Sequence, residues 1–407
     1  MLAKSSTELI RQRNSLLVLA ALRRHGALAH TDVSDHTGLS SATVSAITAD
    51  LETAGIIEKS EQQPAGGRGR PRVLLRQRRD CAYLAVVIIT SDGVEYSLVD
   101  YSGRLIDRFN EQRSHDPAGA GLFLEVIGQG LERLAERSRI ERDKLLIISI
   151  SSKGLVDKTR PILLWSPIFG ADRIDFDAGL KSRWKGRVML ANETLLVAAA
   201  LGEEEEKRHS HKHYALAALS LGHSIGLGIA RMTPLGEMDL TASNFGHMMH
   251  QPDGALCRCG ARGCVEAYAG FYAILRTAFE VRLDTIPAKF VPLSEMDKIA
   301  QRARQGDRMA GFAFRQAGLA LGNGLSRLLS LTEPMPVVIT GVGTRYYDLM
   351  RRGVEEGFAQ SHIGRLSGLP EIQIAADERN LVYQGHLRHA FAEMDRSIVM
   401  AGALSSG

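Results

Sequence analysis

The 407-residue chain has only four cysteines. That excludes a small secreted scaffold stapled by disulfides, because such domains need dense cysteine pairs to make up for a thin core. No apolar run approaches the roughly 18 to 20 residues that cross a bilayer, so membrane insertion is not expected. No internal repeat recurs at a fixed period, which argues against a solenoid or propeller. Charge of one sign is not in large excess either, and a net +4 by itself decides nothing about partners. What remains is an ordinary globular balance, 44% hydrophobic and 24% charged, on a chain long enough for two or three domains with good cores. Few, clustered cysteines and the lack of a targeting segment make a reducing cytoplasm the expected compartment.

Cys257, Cys259 and Cys264 fall inside the stretch Gly246 to Glu266, with Gly260 and Gly263 between the last two and His247 and His250 upstream. A Cys-x-Cys-Gly-x-x-Gly-Cys turn can aim three sulfurs at one point while its glycines take positive φ angles. Thiolate with imidazole is a donor set for tetrahedral Zn²⁺. The spacing predicts a Cys3His site with His247 as the fourth ligand and His250 as the alternate. Three reduced core cysteines are a weaker reading, since buried cysteines have no reason to share a glycine-punctuated loop. A disulfide is weaker still, because Cys257 and Cys259 are too close to bridge easily.

Gly246-His247, then Pro252-Asp253-Gly254, then Cys257-x-Cys259-Gly260-x-x-Gly263-Cys264-x-Glu266-Ala267 resembles the zinc signature of the ROK family, which contains bacterial sugar kinases and sugar-responsive transcriptional repressors. The resemblance covers nearly the whole chain. It implies that His247, Cys257, Cys259 and Cys264 hold a structural zinc, and that His247 and Glu266 also face a sugar.

Towards the N-terminus, apolar residues between Leu9 and Arg24 keep the helical period and stop at Gly26. Thr31 is expected to cap a short second helix through His36, and Ser40 or Ser41 a third running from Ala42 to Thr53. In that third helix Val44, Ile47 and Leu51 share one face, which leaves Ser41, Thr43, Ser45 and Thr48 as short polar side chains suited to a major groove. Apolar runs at Ile56-Ile57 and Val73-Leu74-Leu75 flank a basic, Gly/Pro-rich loop, so the unit reads as a winged helix-turn-helix. Arg68, Arg70 and Arg72 of that loop are candidates to enter a minor groove, where negative potential attracts guanidinium groups. A solvated basic linker is the plainer reading.

Beyond Arg79 the composition changes to apolar strands and amphipathic helices, which look like an actin-like, ribonuclease-H-like α/β fold. In ROK kinases the first turn reads Asp-x-Gly-Gly-Thr and holds the ATP phosphates. Here Ile88 stands at the aspartate and Thr90-Ser91-Asp92 at Gly-Gly-Thr, so the phosphate grip is expected to be absent: isoleucine offers no oxygen to metal or water, and Asp92 repels a triphosphate. The resemblance sets Asn192-Glu193 at the family's Asn-Asp pair, whose aspartate is the kinases' general base. A glutamate reaches one methylene further, and a displaced base loses much of its rate advantage. Ile168 replaces a common asparagine, and Asn244 a sugar-contacting glutamate.

The expected architecture is α+β and multidomain, with a winged helix-turn-helix over 1–78, a first α/β lobe over 79–190, and a second lobe over 191–407 carrying the zinc loop and C-terminal helices. The expected function is that of a DNA-binding transcriptional repressor rather than an enzyme. Its sugar-like effector would meet Asn192, Glu193, Asn244, His247 and Glu266. Its partners would be double-stranded operator DNA, the effector, and further copies of the chain in a homodimer or higher oligomer, because one winged helix contacts too few bases for useful genomic specificity. The alternatives are an active sugar kinase and a DNA-binding protein whose second domain serves assembly alone.

Overall fold

The computed structural model describes residues 2–62, 72–91, 93–113, 120–170, 172–209, 214–233 and 238–404. At the N-terminus the helices Leu2–His25, His30–Thr37 and Ser41–Thr53 pack around Val18, Leu22, Val33, Val44, Ile47 and Leu51. Ser40 caps the third helix, its hydroxyl accepting from the Thr43 N–H at 3.2 Å. The second helix begins one residue earlier than its expected cap: Thr31 lies inside it, and Asp32 reaches back to accept from the Ala29 N–H at 3.1 Å. An acid in the first turn satisfies a free donor there as well as a capping threonine would. Strands Ile57–Gln62 and Arg72–Gln77 form the antiparallel wing, and a short strand absent from the expectation, Leu28–Ala29, pairs with the outer side of the latter.

The rest of the described chain is built on two five-stranded sheets of the same topology. In each, three strands form an antiparallel meander and two more add in parallel beside the first, giving spatial order 3-2-1-4-5. The first sheet consists of Tyr83–Ile89, Gly93–Asp100, Leu105–Gln112, Leu145–Ser152 and Arg187–Asn192. The second consists of Ala215–Ser220, Gly226–Met232, Met238–Ser243, Val337–Thr340 and Ile372–Ala375. Strands covered on both faces read as continuous apolar runs, as in Tyr83–Ile89, while the outer strand Leu105–Gln112 alternates in exposure. Arg187–Asn192 completes the first sheet, so the division expected at 190 falls inside that strand.

In the second lobe the helix Leu293–Arg304 buries Met296, Ile299 and Ala300, so its charged residues form one face of an amphipathic element. The helices Arg308–Leu331 and Tyr347–Ala359 approach backbone to backbone: a Cβ at Gly322 would lie 2.2 Å from the Val354 carbonyl oxygen. The last helix, Glu378–Leu404, returns to the first lobe, and one core joins its Leu381, Val382 and Phe391 to Leu84, Val86 and Leu196. Among the described residues no helix is long and apolar enough to cross a membrane.

Candidate functional site

The parallel strands of both sheets end at one cleft between the lobes, the usual place for a ligand in open α/β sheets. Two adjoining chambers occupy it, of about 300 and 650 Å³, within the ~300–1,000 Å³ range of small-molecule sites. Lys153, Pro167 and Ser224 line both.

The smaller chamber is bounded by Asn192, Asn244, His247 and Glu266, four of the five residues expected to meet an effector. Glu266 opens the short helix Glu266–Ala269 and is 1% exposed. Its Oε2 accepts from the Ile225 N–H at 3.1 Å, its Oε1 has no hydrogen-bond partner among the described residues, and burial pushes its pKa up while Arg258 and His247 pull the other way. Asn192 is more constrained than a free ligand group: Nδ2 donates to the Gly154 carbonyl at 2.5 Å, and Oδ1 accepts from the Thr194 N–H and hydroxyl at 2.8 and 2.7 Å. It braces the loop as much as it faces the chamber. Trp165 sets its ring edge-on to His247, with centroids 5.3 Å apart. Ser220, Ser224 and Ser243 add hydroxyls to the wall, and nothing in their local sequence singled them out.

Glu193, the fifth expected residue, lines the larger chamber and not the smaller. The residue follows the strand end at Asn192, so the helix start turns it to the other side of Lys153, whose Nζ lies 3.8 Å from Glu193 Oε2. Burial raises its pKa to about 7, against the pull of Lys153 and with a push from Glu378. Ile88 and Ile168 are on the same wall. Ile88 is buried in the sheet core and its side chain offers no oxygen to the chamber, while Glu95, opposite it on the neighbouring strand, lines the same chamber; Asp92 lies outside the described residues.

Next to the smaller chamber, the ligand atoms of His247, Cys257, Cys259 and Cys264 lie within 4.8 Å of one another, a cluster that could hold a metal ion. Cys257 Sγ is 3.7 Å from His247 Nδ1, and Cys259 Sγ is 3.7 Å from Cys264 Sγ. His250, the alternate ligand, instead packs edge-on against the Tyr268 ring, with centroids 4.9 Å apart. Gly263 makes the turn possible: its φ is +79°, and a Cβ there would fall 1.7 Å from the Gln251 carbonyl oxygen. Tyr272 donates to Cys257 Sγ at 3.5 Å, a contact that sequence spacing did not indicate.

On the third helix Ser41 and Ser45 are exposed and Thr43 half-buried, its hydroxyl sharing a hydrogen bond with Ser40 at 2.8 Å. Thr48 is a correction. It is 6% exposed and its hydroxyl donates to the Val44 carbonyl at 2.8 Å, so it cannot reach a base from this position. At one residue after Ile47 it falls on the edge of the apolar face, where the helical period is least decisive. Ala42, Ala46 and Ala49 complete the exposed face, and small side chains let a helix lie close to a groove. Arg68 and Arg70 lie outside the described residues, and Arg72 opens the strand Arg72–Gln77.

The fold and the cleft define the class. Residues 94–380 match the ROK family, and the chain belongs to it. Residues 11–69 match the MarR family, whose segment is the winged helix-turn-helix described above. Among curated proteins the chain is similar to the xylose repressor of Caldicellulosiruptor bescii, 25% identical over 95% of this chain and 97% of that one. It is also similar to the DNA-binding transcriptional dual regulator NagC of Escherichia coli, 22% identical over 93% and 92%. Among solved structures, a ROK family transcriptional regulator homologous to the E. coli MLC protein aligns with a TM-score of 0.72 at 20% identity, over 97% of this chain and 99% of that one. A ROK family glucokinase from Streptomyces griseus, in complex with glucose and AMPPNP, aligns with 0.53 at 23% identity over 76% and 99%.

Proposed function

We propose that this chain is a DNA-binding transcriptional repressor whose ROK body binds a sugar-like effector in the smaller chamber and does not phosphorylate it. The observation that carries the reading is a winged helix-turn-helix joined to a ROK body in which buried Ile88 stands at the end of the first strand. Transfer of a phosphoryl group needs a metal held by carboxylate or hydroxyl oxygens, and an isoleucine supplies none. Full-length similarity to proteins named as repressors supports the same conclusion. Asn244, His247 and Glu266 offer hydrogen-bonding groups to sugar hydroxyls, with the Trp165 ring as an apolar face.

His247, Cys257, Cys259 and Cys264 fit Zn²⁺. Tetrahedral zinc with Zn–S bonds of about 2.3 Å sets its sulfurs about 3.8 Å apart, close to the Cys259–Cys264 separation of 3.7 Å. The ion would contribute cross-linking of the loop and no reaction chemistry. His247 then serves two purposes, since a ring fixed through Nδ1 presents its other nitrogen in a set direction. The repressor reads operator DNA as a homodimer or higher oligomer in the cytoplasm.

The test combines two measurements. Footprinting on operator DNA with and without a panel of sugars reports the regulatory function, and a coupled assay with ATP and hexoses reports the enzymatic one. Operator protection that one sugar changes, with no turnover, is the expected result. Turnover in the ordinary enzymatic range of about 1 to 1,000 per second overturns the reading.

A further inference from the structure

Cys259 differs from the other thiols of the metal cluster in what it faces. Cys257 and Cys264 are 1% and 2% exposed, whereas Cys259 is half-buried and lines the smaller chamber with Trp165 and Asn244. A solute that enters this chamber therefore meets one sulfur of the cluster directly. That sulfur lies 3.7 Å from Cys264 Sγ. Cys257 is engaged by other groups, the Tyr272 hydroxyl at 3.5 Å and His247 Nδ1 at 3.7 Å.

The turn also leaves Cys259 room to move. Leu256 pairs with Arg262, and the Gly260 N–H donates to the Cys257 carbonyl at 3.0 Å, which puts Cys259 at the tip of a tight hairpin. Gly260 has a φ of +88° and open space where a Cβ would stand. Cys264 is held more firmly, by its bridge to Met249. Sulfurs in a disulfide are about 2.05 Å apart, so a displacement of less than about 2 Å at the tip joins the pair.

We propose that Cys259 and Cys264 are a peroxide-sensitive dithiol, entered at Cys259 from the smaller chamber, whose oxidation dismantles the metal site. An accessible thiolate next to a resolving cysteine is the arrangement that redox sensors use. The Cys259 thiolate attacks the terminal oxygen of a hydroperoxide, the O–O bond breaks, and the other oxygen takes a proton and leaves as alcohol or water. Cys259 is then a sulfenic acid. The Cys264 thiolate attacks that sulfur, and the departing hydroxide takes a second proton to become water. Two electrons pass from the pair of sulfurs to the peroxide. The disulfide offers no thiolate, so Cys257 and His247 remain, too few for a tetrahedral zinc site. His247 is thereby released from its fixed direction on the chamber wall. In a reducing compartment such a bond is transient, as a signal requires. The inference rests on the zinc assignment given above, and adds to it a site of modification.

The test treats the zinc-loaded full chain with hydrogen peroxide and with cumene hydroperoxide, follows zinc release with a chromogenic chelator, and locates the modified thiols by peptide mass mapping. Dimedone should trap the sulfenic acid at Cys259. Zinc release should match formation of the Cys259–Cys264 disulfide, leave Cys257 free to alkylate, and reverse with dithiothreitol and added zinc. Cys81→Ser, which removes the thiol outside the cluster, should release zinc at the unchanged rate. Asn244→Trp adds bulk at an exposed position of the chamber wall and should slow the release several-fold with zinc content intact. Zinc retained under peroxide, a disulfide formed through Cys257, or an unslowed release in Asn244→Trp overturns the proposal and leaves the zinc assignment standing. Purified protein that holds no zinc overturns both.

Discussion

Glu193 begins its helix with 6% of its surface exposed and one carboxylate oxygen without a hydrogen-bond partner among the described residues. Its folded pKa of about 7 lies above the ordinary value of 4.5, so the native state holds the proton more tightly than the unfolded chain. The stability this contributes is complete below about pH 4.5 and is lost as pH rises through about 7. Glu193→Gln should therefore flatten the pH dependence across that window and stabilise the protein at pH 8 by roughly 1–3 kcal/mol. Denaturation midpoints at pH 5 and 8 check this, and an unchanged difference between the two would argue against it. The metal cluster makes a second residue-scale prediction. Cys259→Ser should lose stoichiometric zinc and lower the melting temperature, because ion binding and loop folding are linked. Metal analysis alongside calorimetry decides it, and a variant with full zinc content and unchanged melting would contradict the assignment.

The helix Glu378–Leu404 is the element that touches both functions. Its 27 residues run about 40 Å at 1.5 Å per residue. Glu378 and Arg379 at its start line the larger chamber, and Val399 near its end packs against the core of the winged helix. His386 pegs its middle to the first sheet, with Nδ1 2.8 Å from Ser149 Oγ. Asp395 takes Arg23 of the first helix at 2.7 Å and the Tyr101 hydroxyl at 2.7 Å, while the Arg23 guanidinium lies 4.0 Å over the Phe391 ring. One helix thus joins the wall of the cleft to the core of the winged unit. Asp395→Ala should reduce the effector's influence on operator affinity, expected at about 5- to 150-fold for ordinary coupling, towards no influence. Its effector affinity without DNA should hold. Operator titrations with and without the ligand measure the loss, and a full response in the variant would place the coupling elsewhere.

At the scale of the whole molecule, a dimer of winged helices should prefer pseudo-palindromic operators with half-sites about 34 Å apart, or a multiple of that. Arg70→Ala should weaken binding to all sequences and lower the salt slope by about one unit if the wing grips phosphates or a minor groove. Footprinting across a salt series shows either the change or an unaltered slope, and the latter would make the basic loop a linker.

Much of this protein was legible in the residue order. The cysteine and glycine spacing from 257 to 264 determined that three thiols meet near His247, because groups so close in sequence need little of the fold to converge. Apolar periodicity determined the helices of the winged unit, and the apolar side chain of Ile88 at the end of the first sheet's leading strand is read directly from the sequence. The position of a residue relative to a cleft was another matter. Thr48 turned inward because neighbouring helices decide where the edge of an apolar face falls. Glu193 went to the larger chamber, and Arg258 joined it there, because strand ends and loops from distant parts of the chain meet only when the two sheets pack. The three serines of the smaller chamber carry no local signal for the same reason. The return of the last helix to the first lobe and to Arg23 depends on contacts hundreds of residues apart in sequence, which only tertiary packing brings together.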